Sequence, residues 1–181
     1  MIRLFTAIAL PETLRRRLAM LCAGVRGAHW ANEENLHLTL RFIGEVPDDS
    51  LADIAGALER VRSPSFDLVL AGAGHFETRR RVRALWIGVE PQPALNALQE
   101  RVDAALLRSG FPGDPRRFTP HVTLARMGGI PPDAVADWLA GHTLFRAPPL
   151  AVEEFTLFRS HLGQGGAHYE PLHSVALGPR E

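Results

Sequence analysis

Two short stretches alternate apolar and chemically reactive residues in the same way: His37-Leu38-Thr39-Leu40 and His121-Val122-Thr123-Leu124. In an extended strand residues i and i+2 share a face, so each His sits beside its Thr while Leu38 and Leu40, or Val122 and Leu124, point to the other side. Each strand therefore offers an apolar face to a core and a polar face carrying an imidazole and a hydroxyl. One such tetrad alone is ordinary half-buried strand, and a His bonded to backbone is commonplace. Two copies in matching contexts are a stronger signal.

The flanking pattern predicts alternating strands and helices. Ile2 to Leu10 reads as a strand that stops at Pro11, which suits the first turn of a helix. Leu14, Leu18, Leu21, Cys22 and Val25 recur at helical spacing from Glu12 to about Val25, with Arg15, Arg16 and Arg17 on the wet side and Gly24 and Gly27 ending the run. Trp30 to Asn35 reads as a loop into the first tetrad, whose strand closes over Phe42 to Pro47. Asp48 and Asp49 are placed to cap a helix through Leu51, Ile54, Ala55, Leu58 and Val61. Phe66, Leu68 and Leu70 alternate as a strand, followed by a turn at Gly72 to Gly74, the His75-Phe76-Glu77 segment, a loop over Arg79 to Arg83 and a strand at Ala84 to Val89.

The first half is then replayed. Pro91 and Pro93 lead into a helix with Leu95, Leu98, Val102, Ala105 and Leu106 on one face, Gly110 to Gly113 break it, and the second tetrad follows 84 residues after the first. At the same offset Leu14 meets Leu98, Leu18 meets Val102, Asp49 meets Asp133, Asp53 meets Asp137, and the strand around Leu68 meets that around Val152. The order strand, helix, tetrad strand, helix, strand thus occurs twice, which predicts one bilobal domain over residues 1–181 built by internal duplication. Phe155 to Ser160 and one or two strands from Tyr169 onward finish the chain across a turn at Gly163, Gly165 and Gly166. No helix follows those glycines, so they lack the aligned amides of a phosphate loop. The expected fold is α+β, bilobal and pseudo-two-fold, with antiparallel sheets lining a central cleft and helices packed outside.

Composition narrows the function classes. The hydrophobic fraction of 46% contains no run near bilayer length, and Met1 to Phe5 leads straight into a strand pattern, so a soluble cytoplasmic monomer with no membrane partner is expected. Cys22 stands alone, which excludes an internal disulfide and a zinc–cysteine site and suits a buried core thiol. The formal charge is zero, so bulk attraction to nucleic acid is not expected. All 20 basic residues are arginines, and contacts to phosphate should be local to Arg15–Arg17, Arg79–Arg81 with Arg83, or Arg116–Arg117.

Facing tetrads suit displacement at phosphorus. With His37 and His121 on opposite sides of a cleft, one imidazole can take a proton from the attacking oxygen while the other gives one to the leaving oxygen. Thr39 and Thr123 can donate to the non-bridging oxygens, and a nearby Arg can balance the developing charge. This chemistry requires neither metal nor cofactor. The other histidines, His29, His75, His142, His161, His168 and His173, lie among turns and strand ends as exposed or locally satisfied side chains, without the carboxylate ligands or spacing of a zinc or two-metal centre. Phe42 and Trp30 could stack a base, although packing is the simpler role for both.

The tetrads and their flanks resemble the RNA 2′,3′-cyclic phosphodiesterases, also called the 2′-5′ RNA ligase family, of the 2H phosphoesterase superfamily. The resemblance rests on Phe5-Thr6-Ala7-Ile8, Asn35 to Gly44, Leu85 to Val89, Phe118 to Arg126 and Gly166 to Tyr169. It implies His37 and His121 as catalytic residues, Thr39 and Thr123 as phosphate ligands, and Arg126 as a further phosphate ligand. It also implies that the terminal segments cross over to build one lobe. On a straight strand Arg126 would face away from His121 and Thr123, whereas Arg41 would share the face of His37 and Thr39; Arg126 is preferred from the family pattern, with Arg41 and Phe42 as further substrate contacts. The implied reaction is hydrolysis of a terminal RNA 2′,3′-cyclic phosphate to a 2′-phosphate, His37 serving as proton donor and His121 as proton acceptor, with 2′-5′ ligation as a side activity. Small cyclic nucleotides as substrates, or an RNA-binding module without turnover, are the alternatives.

Overall fold

The tetrads open two strands of equal length, β3 (His37–Val46) and β7 (His121–Ile130), which lie in different sheets. The computed structural model describes residues 1–180. In the first sheet β1 (Ile2–Ala9) pairs with β3 on one side and with β9 (Glu154–Gly163) on the other, and β10 (Gly166–Ala176) closes the order β10-β9-β1-β3. The second sheet runs β2 (His29–Trp30), β7, β6 (Arg81–Val89), β5 (Leu70–Thr78). Every pairing in both is antiparallel. The first two long strands thus share a sheet with the last two, the crossover that the resemblance implies. A short antiparallel pair, β4 (Phe66–Leu68) with β8 (Leu150–Val152), forms a separate ribbon.

Among the described residues four α-helices cover the sheets with their apolar stripes: α1 (Glu12–Ala19), α2 (Leu51–Glu59), α3 (Pro93–Arg108) and α4 (Ala136–His142). Leu14 and Leu18 of α1, Ile54 and Leu58 of α2, five residues of α3 from Leu95 to Leu106, and Trp138 of α4 join the inward residues of both sheets in one core. Among the described residues no helix is long and apolar enough to cross a membrane.

Several local expectations are corrected. Helix α1 stops at Ala19 instead of running to about Val25, because the chain tightens into turns with Leu21 N–H donating to Leu18 O and Cys22 N–H to Ala19 O, then takes positive φ at Gly24 and Gly27. Cys22 is half-buried, and burial pushes its thiol up to about 11. The segment before β3 contains β2, not merely a loop. Asp48 and Asp49 cap nothing: a 3-10 turn over Asp48–Ser50 precedes α2, and Asp48 accepts from the Met1 amino group at 2.5 Å. Gly72 to Gly74 is not a turn but the interior of β5. A β-carbon on Gly74 would collide with the indole of Trp86, and one on Gly88 would lie 3.1 Å from it, so glycine at both places lets the ring lie flat across the sheet. The loop expected over Arg79 to Arg83 shrinks to the two-residue turn Arg79-Arg80.

Candidate active site

Each tetrad strand carries one extra residue just beyond its Thr. Along β3, Thr39 pairs with Ala7 and Arg41 with Thr6, leaving Leu40 outside the ladder; along β7, Thr123 pairs with Trp86 and Ala125 with Leu85, leaving Leu124 outside. A bulge of one residue reverses the alternation beyond it. Two consecutive residues are therefore buried in each strand, Leu40 with Arg41 and Leu124 with Ala125, and the next residue, Phe42 or Arg126, returns to the face of the His and Thr. The parity problem posed by Arg126 disappears. Its positive charge acts on both imidazoles, which places the guanidinium within electrostatic reach of both tetrads.

Arg41 departs from expectation for the same reason. Its side chain is only 3% exposed and is ion-paired to Asp103 of α3 at 2.8 Å, while Nη2 donates to the Phe111 carbonyl at 2.7 Å. It faces the core side of β3 and pins the segment that follows α3, away from His37 and Thr39. Phe42, by contrast, is on the cleft face, 52% exposed and 6.0 Å from the Phe5 ring.

The two imidazoles are held alike. His37 Nδ1 lies 2.6 Å from the carbonyl of Asn35, and His121 Nδ1 lies 2.6 Å from that of Thr119. A carbonyl can only accept, so Nδ1 carries the proton in both rings and Nε2 is left as the acceptor. His37 Nε2 is 3.0 Å from Thr39 Oγ1. The Asn35 side chain donates to Ala167 O at 2.6 Å, tying the carbonyl that orients His37 to β10. Aromatic rings wall both sides: Phe5 at 4.9 Å and Tyr169 edge-on at 5.2 Å from His37, Phe76 edge-on at 4.8 Å and Trp86 at 5.9 Å from His121.

Burial lowers both imidazoles from the ordinary value of 6.5, and Arg126 lowers them further; His121 adds to the effect on His37, while the carbonyls of Asn35 and Thr119 pull the other way. In the free protein both rings are therefore neutral near pH 7. A phosphate anion beside Arg126 would offset that effect and favour protonation of one of the two rings.

Of the remaining histidines, His29 lies opposite Arg126 across the β2–β7 pair. His75 faces Glu77 at 3.4 Å, His161 meets Glu170 at 2.7 Å and stacks on His168, His173 meets Glu59 at 3.2 Å, and His142 packs on Trp138. Trp30 also packs on Trp138, so it anchors β2. Sequence reasoning missed the walls from Phe76 and Trp86; the only trace of them was glycine at 74 and 88, and a cross-strand packing partner is not visible in one strand's pattern.

The fold and paired tetrads define a 2H phosphoesterase-like protein. A sequence model of the 2′-5′ RNA ligase superfamily matches residues 10–164, and the chain belongs to that family. An RNA 2′,3′-cyclic phosphodiesterase of Thermotoga maritima is 33% identical over 179 residues, which span 94% of this chain and 93% of its own length. One of Geobacillus stearothermophilus is 39% identical over 74% of this chain, a match that spans 43% of that longer protein. Among solved structures, Escherichia coli LigT complexed with 3′-AMP superposes with a TM-score of 0.80 at 31% identity, covering 97% of this chain and 98% of LigT.

Proposed function

We propose that the protein hydrolyses the terminal 2′,3′-cyclic phosphate of RNA to a 2′-phosphomonoester, by general acid–base catalysis between His37 and His121 and without a metal. The observation that carries this reading is the matched orientation of the two rings, each with Nδ1–H fixed on a backbone carbonyl and Nε2 turned to a face shared with Arg126. His121, the less buried ring, takes a proton from water as the water oxygen bonds to phosphorus. The bond from phosphorus to the ribose 3′-oxygen breaks, and His37 gives that oxygen its proton. Thr39 and Thr123 donate to the non-bridging oxygens, and Arg126 balances their charge. The 2′-oxygen in the ring makes the substrate RNA, since DNA cannot form it. An RNA 5′-hydroxyl in place of water would give 2′-5′ ligation through the same groups. The complex of LigT with 3′-AMP supports a mononucleotide as an occupant of the same cleft.

The chain is, on this reading, one bilobal unit made by duplication. Bulges at equivalent places after Thr39 and Thr123 support it, as does the β4–β8 ribbon, in which Asp67 pairs with Ala151, the residue 84 positions on.

The test is incubation of an RNA ending in a 2′,3′-cyclic phosphate with wild type, His37→Ala and His121→Ala in EDTA, with the phosphate position of the product identified. The expected result is a 2′-phosphate at a rate that each substitution lowers by about 10²–10⁴-fold. No turnover by wild type, or turnover indifferent to both substitutions, would overturn the proposal.

A further inference from the structure

The β5–β6 hairpin ends in a turn whose two central residues, Arg79 and Arg80, have φ of 52° and 57°. Turns of this hand are the domain of Asn and Gly, because a β-carbon is strained there. Two arginines at such a tip are unfavourable for the hairpin itself. They are also uncompensated: among the described residues none of Arg79, Arg80, Arg81, Arg83 or Arg126 has a carboxylate within 4.0 Å, as is true of most of the chain's arginines, but here five such side chains fall together. Glu77, the nearest acid in sequence, faces His75.

The five are aligned. Arg126 lies opposite Ala84, and β6 continues outward through Arg83 and Arg81 to the tip. Arg83 donates to Gly128 O at 2.7 Å, and a β-carbon on Gly129 would lie 3.0 Å from Arg83 Cζ and 3.2 Å from Arg81 Cβ. Gly129, beyond Arg126, thus gives both arginines room against β7. Arg79, Arg80, Arg81, Arg83 and Arg126 are all exposed. Phe76, on the wall beside His121, is three residues before the tip, about 10 Å along the strand.

We propose that this ridge, from Arg126 through Arg83 and Arg81 to Arg79 and Arg80, binds the phosphodiester backbone of the RNA chain leading to the cyclic phosphate. It makes the oligonucleotide, rather than the mononucleotide, the preferred substrate. The inference rests on the phosphodiesterase reading above. Strain at the tip is then the cost of aiming charge along the path of the strand, and the net charge of zero conceals a local field confined to one hairpin.

The experiment compares wild type with the Arg79→Asn/Arg80→Gly double variant, which supplies the residues this turn favours. KM is measured on a short oligoribonucleotide ending in a 2′,3′-cyclic phosphate and on adenosine 2′,3′-cyclic phosphate, over a range of salt. For the oligonucleotide the expected result is a rise in KM of about 10-fold at low salt and a salt slope reduced by about 1.4, the share of two single-strand phosphates. The mononucleotide should react unchanged, and the melting temperature should rise by about 2–4 °C. An oligonucleotide KM and salt slope equal to wild type, or an equal change on both substrates, would overturn the ridge. Anisotropy titration of a labelled oligoribonucleotide ending in a 2′-phosphate needs no turnover. Weaker binding by the variant supports the ridge even if wild type hydrolyses neither substrate, an outcome that would sink only the catalytic reading; equal binding refutes the ridge whatever the activity.

Discussion

Two arginines that a simple alternation would have exchanged have opposite environments. Arg126 is exposed on the face of the two imidazoles, while Arg41 is buried against Asp103 and the Phe111 carbonyl. Arg126→Met should lower kcat/KM for a cyclic phosphate by about 10²–10³-fold, the scale of one lost oxyanion donor, and leave the melting temperature within a degree or two. Arg41→Met strands the Asp103 carboxylate, which is 41% exposed and so partly hydrated. It should cost about 1–3 kcal/mol of stability, read as a lower midpoint in urea, with a smaller effect on kcat/KM than Arg126→Met. If Arg41→Met proved the more damaging to turnover and the less damaging to stability, the assignment of the two side chains would be wrong.

Among the elements, the strands beside the tetrads decide how the two imidazole rings stand. Trp86 lies across Gly74 and Gly88, and with Phe76 it forms the wall that His121 rests on. Gly74→Ala forces the indole off the sheet. The expected outcome is a loss of about 1–3 kcal/mol together with a fall in kcat, and quenching or shift of tryptophan fluorescence should accompany it. An alanine variant that melts and turns over like wild type would show that the indole has another place to go. Much at this scale was legible from sequence: the tetrads, the apolar stripe of α3 and the strand at Ala84 to Val89 are periodic, and periodicity is a property of one segment. The bulges at Leu40 and Leu124 were not legible, because a bulge is a relation between two strands; hence Arg41 was expected beside His37. Gly72–Gly74 suggested a turn because its reason, an aromatic ring from the neighbouring strand, comes from elsewhere in the chain. The Arg79-Arg80 turn was hidden for the converse reason, since nothing in two arginines signals a reversal.

For the molecule as a whole, lowered histidines link folding to pH. His37 and His121 both hold protons less well when folded than the ordinary 6.5, so the unfolded chain binds more protons between the two values. Their contribution is fully present above about pH 6.5 and declines as pH falls through the lowered folded values. The melting temperature should therefore drop on acidification from pH 7 to 5, and less steeply in a His37→Gln/His121→Gln double variant. Identical slopes for the two proteins would show that other groups carry the dependence. Glu170, held below the usual carboxylate range by His161, acts in the same direction at more acidic pH.

The place of β1 between β3 and β9 has a consequence for the order in which a nascent chain acquires its chemistry. The second sheet is complete once residue 130 has emerged, with His121 already against Phe76 and Trp86. The first sheet at that moment is only β1 and β3, with the edge of β1 open and the side of His37 lined by Phe158 and Tyr169 still unmade. Chains stopped before residue 154 should thus expose a pairing edge and bind chaperones that recognise such edges. Emergence of β9 and β10, not completion of the tetrads, is when the wall around His37 first closes.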